Sequence, residues 1–293
     1  MFSKEILGVR VDFGMDMDQV LDVVENKLLK EEGTHYICTT NPEFIIEAQK
    51  NEHFKKIINE SDLSVPDGVG VIYAKDYLEK VSPYKRDILF PIKSFLAGLM
   101  LGAKGGQHKE RITGVDLTYK LCDLASKKGY SVFFLGSRPG KGTIKEATSS
   151  DKNNMSDVSD YLSKLYPNLN VVGGASQFNR TEEDDDITIK YVKECMNRKG
   201  IGGLDILFVA YGHPYQEAWI TRNSSKIPAK VSIGVGGTFD YIVGYSNPAP
   251  EKYVKRNLGW LYRLFKQPWR IKRILNAFPR FPVKVFLSSL KNL

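Results

Sequence analysis

Residues 204–214 read LDILFVAYGHP, a run of six mostly apolar residues that ends in a turn. An apolar run of this length is typical of a strand that is buried on both faces of a sheet. Gly212 and Pro214 indicate that the chain turns soon after the run, and residues 215–222 then carry a helical pattern. The stretch therefore predicts a strand, a turn and a helix, which is the repeating unit of a parallel sheet.

The same unit recurs along the chain. Further short runs of β-branched or aromatic residues, each followed by turn residues, are HYICT at 35–39, SVFFL at 131–135, LNVV at 169–172 and VSIGV at 231–235. Such strands alternating with helices predict an α/β fold, with a mostly parallel, Rossmann-like sheet and helices on both faces. These sheets bind ligands at the carboxyl ends of their strands, where the Gly, Pro, Asn and Asp clusters of this sequence fall.

Positive charge is concentrated at the C-terminal end. Residues 251–293 hold eleven Lys or Arg and one acidic residue, whereas the whole chain of 293 residues has a net charge of +8. This segment is also rich in large apolar side chains, which disordered basic arms lack. We therefore predict an α/β core domain over residues 1–245 and a helical, basic, amphipathic appendage over residues 246–293.

The appendage suits an anionic membrane surface, because its basic groups are interleaved with large apolar ones. Nucleic acid is the alternative partner, since it also binds clusters of Lys and Arg. Arg263, Lys266, Arg270 and Arg273 are spaced to share one helical face, although Pro268 interrupts the segment.

Bulk features favour a cytosolic protein. No metal-ligand spacing relates the three cysteines to the four histidines, so reduced thiols are expected. The N-terminus shows no apolar signal-peptide core, and no window of 18 uncharged apolar residues occurs. The nearest candidate, residues 88–104, contains Pro91 and Lys93 and predicts either a buried helix or an interfacial one.

Two polar clusters lie directly before predicted helices. Thr39 and Asn41 stand in TTNP, where they could bind sugar hydroxyls or phosphate oxygens, or where Asn41 could cap a helix that begins at Pro42. Asp67 stands in VPDGVG, between a proline and a glycine. Its carboxylate could cap the following helix or serve as a general base at a cleft.

Three further clusters follow apolar runs. Gly136 follows SVFFL, and Gly236 and Gly237 follow VSIGV, which lets the backbone approach a phosphate or a base closely. Asp240 could accept a hydrogen bond from a uracil N–H or a ribose hydroxyl, and Gln216 is a neutral donor and acceptor at a helix start. A turn without a ligand is the alternative for each cluster.

Seven motifs extend in one order over nearly the whole chain: TTNPEF, SDLSVPDGVGV, RITGVDL, VFFLGSRPG, FVAYGHPYQEAWI, GVGGTFDYIVG and LGWLYRLFKQPWRIKR. Together they resemble the WecG/TagA/CpsF family of bacterial glycosyltransferases. The resemblance implies inverting transfer of an N-acetylmannosamine-type sugar from a UDP donor to a lipid-pyrophosphate-linked GlcNAc, in the synthesis of teichoic acid or another envelope polysaccharide. Alternatives are the uronic-acid form of the sugar, a capsule acceptor, or a non-catalytic nucleotide binder with a nucleic-acid-binding tail.

The resemblance also implies roles for the candidate residues. Asp67 matches the proposed general base of the family. Its substrate-binding positions are matched by Thr39, Asn41, Arg111, Gln216, Gly236, Gly237 and Asp240. Its tail arginines, which reach the pyrophosphates of donor or acceptor, are matched by Arg263, Arg270 and Arg273.

No metal cofactor is expected, so the negative charge on departing UDP would be stabilised by arginines or backbone N–H groups. The acidic run at 182–186 is better explained by the positive end of a helix than by a metal ion.

The expected partners are a UDP-sugar, a polyprenyl-pyrophosphate-linked GlcNAc and an anionic membrane, but not nucleic acid, and homo-oligomer formation stays open. The expected location is the cytoplasm, at the inner face of the cell membrane.

The chain departs from the family pattern at Tyr215, Pro248 and Gly259, and its excursions at 83–110 and 140–160 are longer than usual. These departures leave the donor and the acceptor open.

Overall fold

A six-stranded parallel sheet forms the centre of the fold. The computed structural model describes residues 1–104, 108–136, 154–244 and 271–291, with 250, 253, 262, 264 and 265. The first two strands form an antiparallel hairpin, β1 (Phe2–Ile6) and β2 (Val9–Phe13). The sheet has the order β4-β3-β8-β7-β5-β6, and each neighbouring pair is parallel. Its strands are β3 (His35–Thr40), β4 (Leu63–Pro66), β5 (Ser131–Leu135), β6 (Asn170–Ala175), β7 (Leu204–Val209) and β8 (Ala229–Gly234).

Helices connect the strands and cover the sheet. They are α1 (Met17–Val23), α2 (Pro42–Ala48), α3 (Glu52–Glu60), α4 (Val69–Val81), α5 (Phe90–Lys104), α6 (Gly114–Lys128), α7 (Asn154–Leu165), α8 (Asp185–Arg198), α9 (Tyr215–Asn223), α10 (Thr238–Ile242), α11 (Ile271–Leu275) and α12 (Phe281–Leu290).

Both faces of the sheet are buried. In β5, Phe134 packs in a core cluster with Leu121 of α6, whereas its neighbour Phe133 packs in another cluster with Val192 of α8. Successive side chains of a strand point to opposite faces, so the two clusters lie on opposite sides of the sheet. The predicted α/β fold, with a parallel sheet and helices on both faces, is confirmed.

Two features were not predicted from the sequence. Strand β4 has only four residues, and it extends the sheet beyond β3. The β1–β2 hairpin packs next to β4, where the Ser64 backbone N–H donates to Asp12 Oδ2 at 2.8 Å. Asp12 also accepts from the Ser3 hydroxyl at 2.6 Å, so one buried carboxylate joins the hairpin to the edge of the sheet.

The C-terminal helix α12 packs into the body of the protein. Phe281 and Val285 are each 2% exposed and share a core cluster with Phe44 of α2 and Tyr77 of α4. The Tyr77 hydroxyl lies 2.9 Å from Ser289 Oγ. Residues 281–290 thus share a hydrophobic core with the domain predicted at 1–245, and the boundary at 245–246 remains a prediction because it falls outside the described residues.

Candidate functional site

The carboxyl edge of the sheet brings most of the candidate residues to one side of the fold. Thr39 lies at the end of β3 and Asn41 follows it, while Asp67 follows β4. The Asp67 backbone N–H donates to the Thr40 carbonyl oxygen at 2.8 Å, so the two strand ends are held directly beside each other. The other strands of this edge place the remaining candidates of the core domain after β5, β7 and β8, namely Gly136, Gln216, Gly236, Gly237 and Asp240.

Asp67 is half-buried at the junction of β4 and α4. Helix α4 begins at Val69, and its N-cap position is occupied by Gly68 rather than by Asp67. Gly68 has φ +99°, a conformation that L-residues rarely adopt. A Cβ at Gly70 would lie 2.9 Å from Pro42 Cγ, so the start of α4 packs closely on the start of α2. This close approach holds Asp67 beside the TTNP segment.

Asn41 caps helix α2, as one of the two alternatives predicted. Its side-chain oxygen accepts from the Glu43 N–H at 2.9 Å and the Phe44 N–H at 3.1 Å. Contact with a ligand would therefore fall to the Asn41 amide nitrogen. Thr39 is buried, and its hydroxyl donates to the Gly234 carbonyl oxygen at 3.3 Å, which joins the ends of β3 and β8.

Gln216 connects two loops of this edge. Its side-chain oxygen accepts from the Gly212 N–H at 3.0 Å and the Gly236 N–H at 2.9 Å, and its amide nitrogen donates to Glu217 Oε1 at 2.7 Å. The side chain is only 2% exposed. The structure thus shows Gln216 positioning the glycine loop after β8, and its direct contact with a substrate stays a prediction.

Glu217 is a buried carboxyl group that was not among the residues predicted from the sequence. Burial raises its pKa to about 7, although the hydrogen bond from Gln216 acts in the opposite direction. The second carboxyl oxygen, Oε2, is buried and has no hydrogen-bond partner among the residues that the structure describes. An ionised carboxylate at such a position is costly, so the protonated form persists up to about neutral pH.

Gly236 and Gly237, which follow β8, lie next to this network, and so does Asp240. Gly236 has φ +55°, and Gly237 is the cap residue of α10, which carries the buried Asp240 in its first turn. The Gln216–Gly236 hydrogen bond fixes this turn relative to the end of β7. Contact of these three residues with the nucleotide stays a prediction.

Gly136, directly after β5, adopts a conformation that requires glycine. Its φ is +85°, and a Cβ there would lie 2.9 Å from Tyr211 Cδ1 and 3.0 Å from the carbonyl carbon of Ala210. The Gly136 N–H donates to the Ala175 carbonyl oxygen at 2.8 Å. The glycine is therefore explained by close packing of three strand ends, and a ligand contact there stays a prediction.

Gly136→Ala should lower the free energy of unfolding by about 2 kcal/mol, because the variant must adopt a positive φ and displace Tyr211. Urea unfolding of the two proteins measures this difference. Gly202→Ala is the matched control, since nothing lies within 4 Å of a Cβ at that position and its φ is not positive. Equal losses in both variants would contradict the packing argument.

Arg111 lies beside the site rather than within the network described above. Its exposed side chain lines a cavity of about 480 Å³ with Asp116, Tyr119 and Tyr166, among others. The next residue, Ile112, donates its N–H to the Pro66 carbonyl oxygen at 3.0 Å. The backbone at Arg111 is thereby held next to the end of β4, one residue before Asp67.

Arg273 from the C-terminal segment reaches this edge of the sheet. Its Nε donates to Glu43 Oε2 at 2.6 Å, and Glu43 stands two residues after Asn41 in the first turn of α2. Arg273 was a candidate residue from the sequence, but its partner could not be predicted, because the two residues are 230 positions apart. Arg263 and Arg270 lie outside the residues that the structure describes.

His213 completes this ionic cluster. Its Nε2 lies 3.7 Å from Glu43 Oε2, and its ring packs on Phe44, with 4.9 Å between ring centroids. Burial, together with the smaller effect of the nearby Arg273, lowers the pKa of His213 to about 4. His213 is therefore neutral at physiological pH, so among the described residues the charged partner of Glu43 is Arg273. The GHP motif was the available signal for this residue.

Metal binding has no candidate site in the described part of the chain, where no three His, Cys, Asp or Glu side chains are arranged to hold an ion. The metal-independent mechanism stays a prediction. Within the same residues, no helix combines the length and the apolar character needed to cross a bilayer.

Fold and site together define an α/β protein with a cluster of polar residues at the carboxyl ends of parallel strands, bordered by a basic C-terminal segment. The chain belongs to the Glycosyl transferase WecG/TagA/CpsF family, whose model matches residues 4–89 and 94–293. The predicted family and the predicted class, a glycosyltransferase, are therefore confirmed.

Three relatives carry the same name, N-acetylglucosaminyldiphosphoundecaprenol N-acetyl-beta-D-mannosaminyltransferase. The protein of Bacillus subtilis strain 168 is 27% identical over 277 residues, which cover 94% of this chain and 88% of that protein. The protein of Bacillus spizizenii is 26% identical, with 89% and 82% covered. The protein of Staphylococcus aureus strain MRSA252 is 26% identical, with 98% and 93% covered.

Proposed function

We propose that this protein transfers an N-acetylmannosamine-type sugar, with inversion, from a UDP donor to GlcNAc linked through a diphosphate to a polyprenyl lipid. The names of the relatives support the transferred sugar and the acceptor. The observation in this molecule that carries the proposal is the contact of Arg273 with Glu43, because it brings the basic C-terminal segment to the strand ends that hold Asn41 and Asp67.

The proposed mechanism assigns one task to each part of the site. Asp67 removes the proton from the attacking acceptor hydroxyl, while Thr39 and Asn41 orient the sugars. The loop at Gly236 and Gly237, together with Asp240, holds the nucleotide. Arg273, with Arg263 and Arg270, neutralises the charge that develops on the departing UDP or holds the diphosphate of the acceptor.

The C-terminal segment is proposed to bind the anionic inner face of the cell membrane, where the lipid acceptor resides. Residues 271–291 contain five basic residues and no acidic one, so the described part of this segment is strongly cationic. Binding there would bring the lipid-linked acceptor and the tail arginines to the same cleft.

The function is tested by incubating the protein with single UDP-sugars and a short-chain lipid-diphosphate-GlcNAc, with and without EDTA, and identifying products by mass spectrometry. UDP-N-acetylmannosamine should give a disaccharide-lipid, and EDTA should not inhibit its formation. A product only from the uronic-acid donor, or only with another acceptor, would replace the proposed substrates by the alternatives. No transfer from any donor in the panel would contradict the proposal.

Arg273→Gln should reduce kcat/KM for the lipid-linked acceptor by about tenfold, because one charged hydrogen-bond donor to a diphosphate is lost. Arg280→Gln is the matched control in the same segment, since Arg280 contacts Asn276 and not Glu43. Steady-state kinetics with varied acceptor measure both variants.

Glu43→Gln separates two explanations of that loss. If Arg273 acts on a diphosphate, Glu43→Gln frees the guanidinium and preserves activity. If only the Arg273–Glu43 ion pair matters, both substitutions should cause equal losses, and the proposed role of Arg273 would be wrong.

A further inference from the structure

Between its buried first residue, Phe90, and the partly buried Leu101, helix α5 exposes its large apolar side chains and buries small ones. Ile88, immediately before the helix, is 92% exposed, and the exposed residues continue at helical spacing along one face. We call this surface the α5 stripe; it consists of Ile88, Leu89, Ile92, Phe95, Leu96, Leu99 and Met100.

The inner face of α5 is built for close contact with α4. Ser94 and Ala97 are buried, and a Cβ at Gly98 would lie 3.6 Å from the Tyr77 ring. The buried Ser94 hydroxyl donates to the Phe90 carbonyl oxygen at 2.7 Å, so its polar group is satisfied within the helix. This arrangement is the reverse of a helix that contributes its large apolar side chains to a protein core.

Basic residues accompany the α5 stripe. Residues 82–104 contain four basic residues and one acidic residue, Asp87. Lys85 and Lys93 line a cavity of about 370 Å³ whose other walls include Leu96, Ala97 and Met100. Lys93 Nζ is paired with Asp87 Oδ2 at 3.1 Å, so the net charge beside this apolar floor is that of Lys85. A positive charge beside apolar side chains suits a lipid with an anionic headgroup.

The α5 stripe is continuous with the cationic C-terminal segment. The ring of Phe95 contacts the ring of Phe286 in α12, with 5.9 Å between centroids. A second copy of the chain docked on the stripe would bring these like charges together across the interface, which disfavours self-association as the explanation. A bilayer with anionic lipids satisfies both the apolar side chains and the charges.

We propose that the α5 stripe docks on an anionic lipid bilayer, as a membrane contact separate from the basic tail. The 15 residues of α5 span about 22 Å, less than the roughly 30 Å of a hydrocarbon core, so the helix lies in the plane of the interface. Residues 90–93, at the start of the helix, fall between the two ranges matched by the family model. The inference depends on the proposed function only where activity is the readout.

The test compares vesicle binding of two double variants of the full chain. Ile92→Gln with Leu99→Gln alters the stripe, where these side chains are 59% and 56% exposed. Ile187→Gln with Leu165→Gln is the matched control on α8 and α7, where they are 52% and 49% exposed. Both double variants should keep the melting temperature of the unaltered protein, because all four side chains lie at the surface.

With vesicles of phosphatidylcholine and phosphatidylglycerol, the stripe variant should show a partition constant lower by about tenfold, since two half-exposed apolar side chains no longer enter the interface. The control variant should bind as the unaltered chain does, and vesicles of phosphatidylcholine alone should bind all three proteins weakly. Equal binding of the stripe variant and the unaltered chain would overturn the proposal. So would a change from dimer to monomer in sedimentation without a change in vesicle binding.

Activity separates this inference from the proposed function. The stripe variant should lose transfer to a vesicle-embedded acceptor but keep full turnover with a water-soluble, short-chain acceptor. If no protein transfers sugar but vesicle binding still depends on the stripe, the proposed function fails and the docking surface stands. If transfer occurs and the stripe variant binds vesicles normally, the docking surface fails alone.

Discussion

Asp67→Asn is expected to reduce kcat for sugar transfer by about a thousandfold, because general-base catalysis contributes about 10²–10⁴-fold and an amide cannot take the proton. The fold should be preserved, since the hydrogen bond that anchors this position to Thr40 comes from the Asp67 backbone N–H. Single-turnover transfer measures the chemical step, and calorimetry with UDP measures whether donor binding is retained.

Asp76→Asn is the matched control for this experiment. Asp76 lies on the same helix, α4, and its carboxylate contacts Lys75 rather than the strand ends. We expect its kcat to equal that of the unaltered protein. Near-normal turnover of Asp67→Asn, with UDP binding intact, would show that another group removes the proton.

Glu217→Gln should raise the free energy of unfolding at pH 8 by about 3 kcal/mol. The carboxyl group has its usual pKa of 4.5 in the unfolded chain, whereas burial raises the pKa to about 7 in the folded protein. Between these values the unfolded state holds fewer protons than the native state, so this group lowers stability as pH rises. Glutamine resembles the protonated acid and carries no such penalty.

The pKa shift of His213 changes the stability with pH in the opposite direction. Its usual pKa is 6.5, and burial lowers it to about 4 in the folded protein, so the unfolded state holds more protons between these values. This group therefore raises stability as pH increases from 4 to 6.5, again by about 3 kcal/mol. In the unaltered protein the contributions of Glu217 and His213 nearly cancel between pH 4 and 7.

Denaturant unfolding at a series of pH values tests both statements. In Glu217→Gln the pH dependence caused by His213 is no longer cancelled by that of Glu217. The free energy of unfolding of this variant should therefore rise with pH up to about 6.5. Glu194→Gln, at an exposed position of α8, is the control and should follow the unaltered protein. Parallel pH curves for Glu217→Gln and the unaltered protein would mean that folding does not raise the pKa of Glu217.

The structure also changes how the C-terminal segment should be tested. Deleting the chain after residue 250 would remove Phe281 and Val285 from a hydrophobic core, in addition to the tail arginines. Losing a buried Phe alone costs about 3–5 kcal/mol. Lost activity of such a truncation would therefore not distinguish a folding defect from a catalytic one, and single substitutions such as Arg273→Gln are the sharper test.

The sequence predicted the candidate site where local chemistry was sufficient and missed it where distant residues meet. The helix cap at Asn41 could be predicted because Pro42 and Glu43 follow it directly. The partners of Gln216 could not be predicted, since its side chain bridges Gly212 and Gly236, which belong to different strand ends. These hydrogen bonds to the Gln216 side chain depend on the three-dimensional arrangement of the two loops, which the sequence does not give.

By itself, the sequence determined five strands of the central sheet, the α/β class and the family, because apolar runs, turn residues and motifs are local and ordered along the chain. Only the tertiary structure decided the strand order, the short β4, the burial of Glu217 and the pairing of Arg273 with Glu43. It also decided which face of α5 meets solvent, because a helix that is apolar on nearly every side has no sequence pattern to orient it. Burial and pairing depend on groups far apart in the chain, and packing alone brings these groups together.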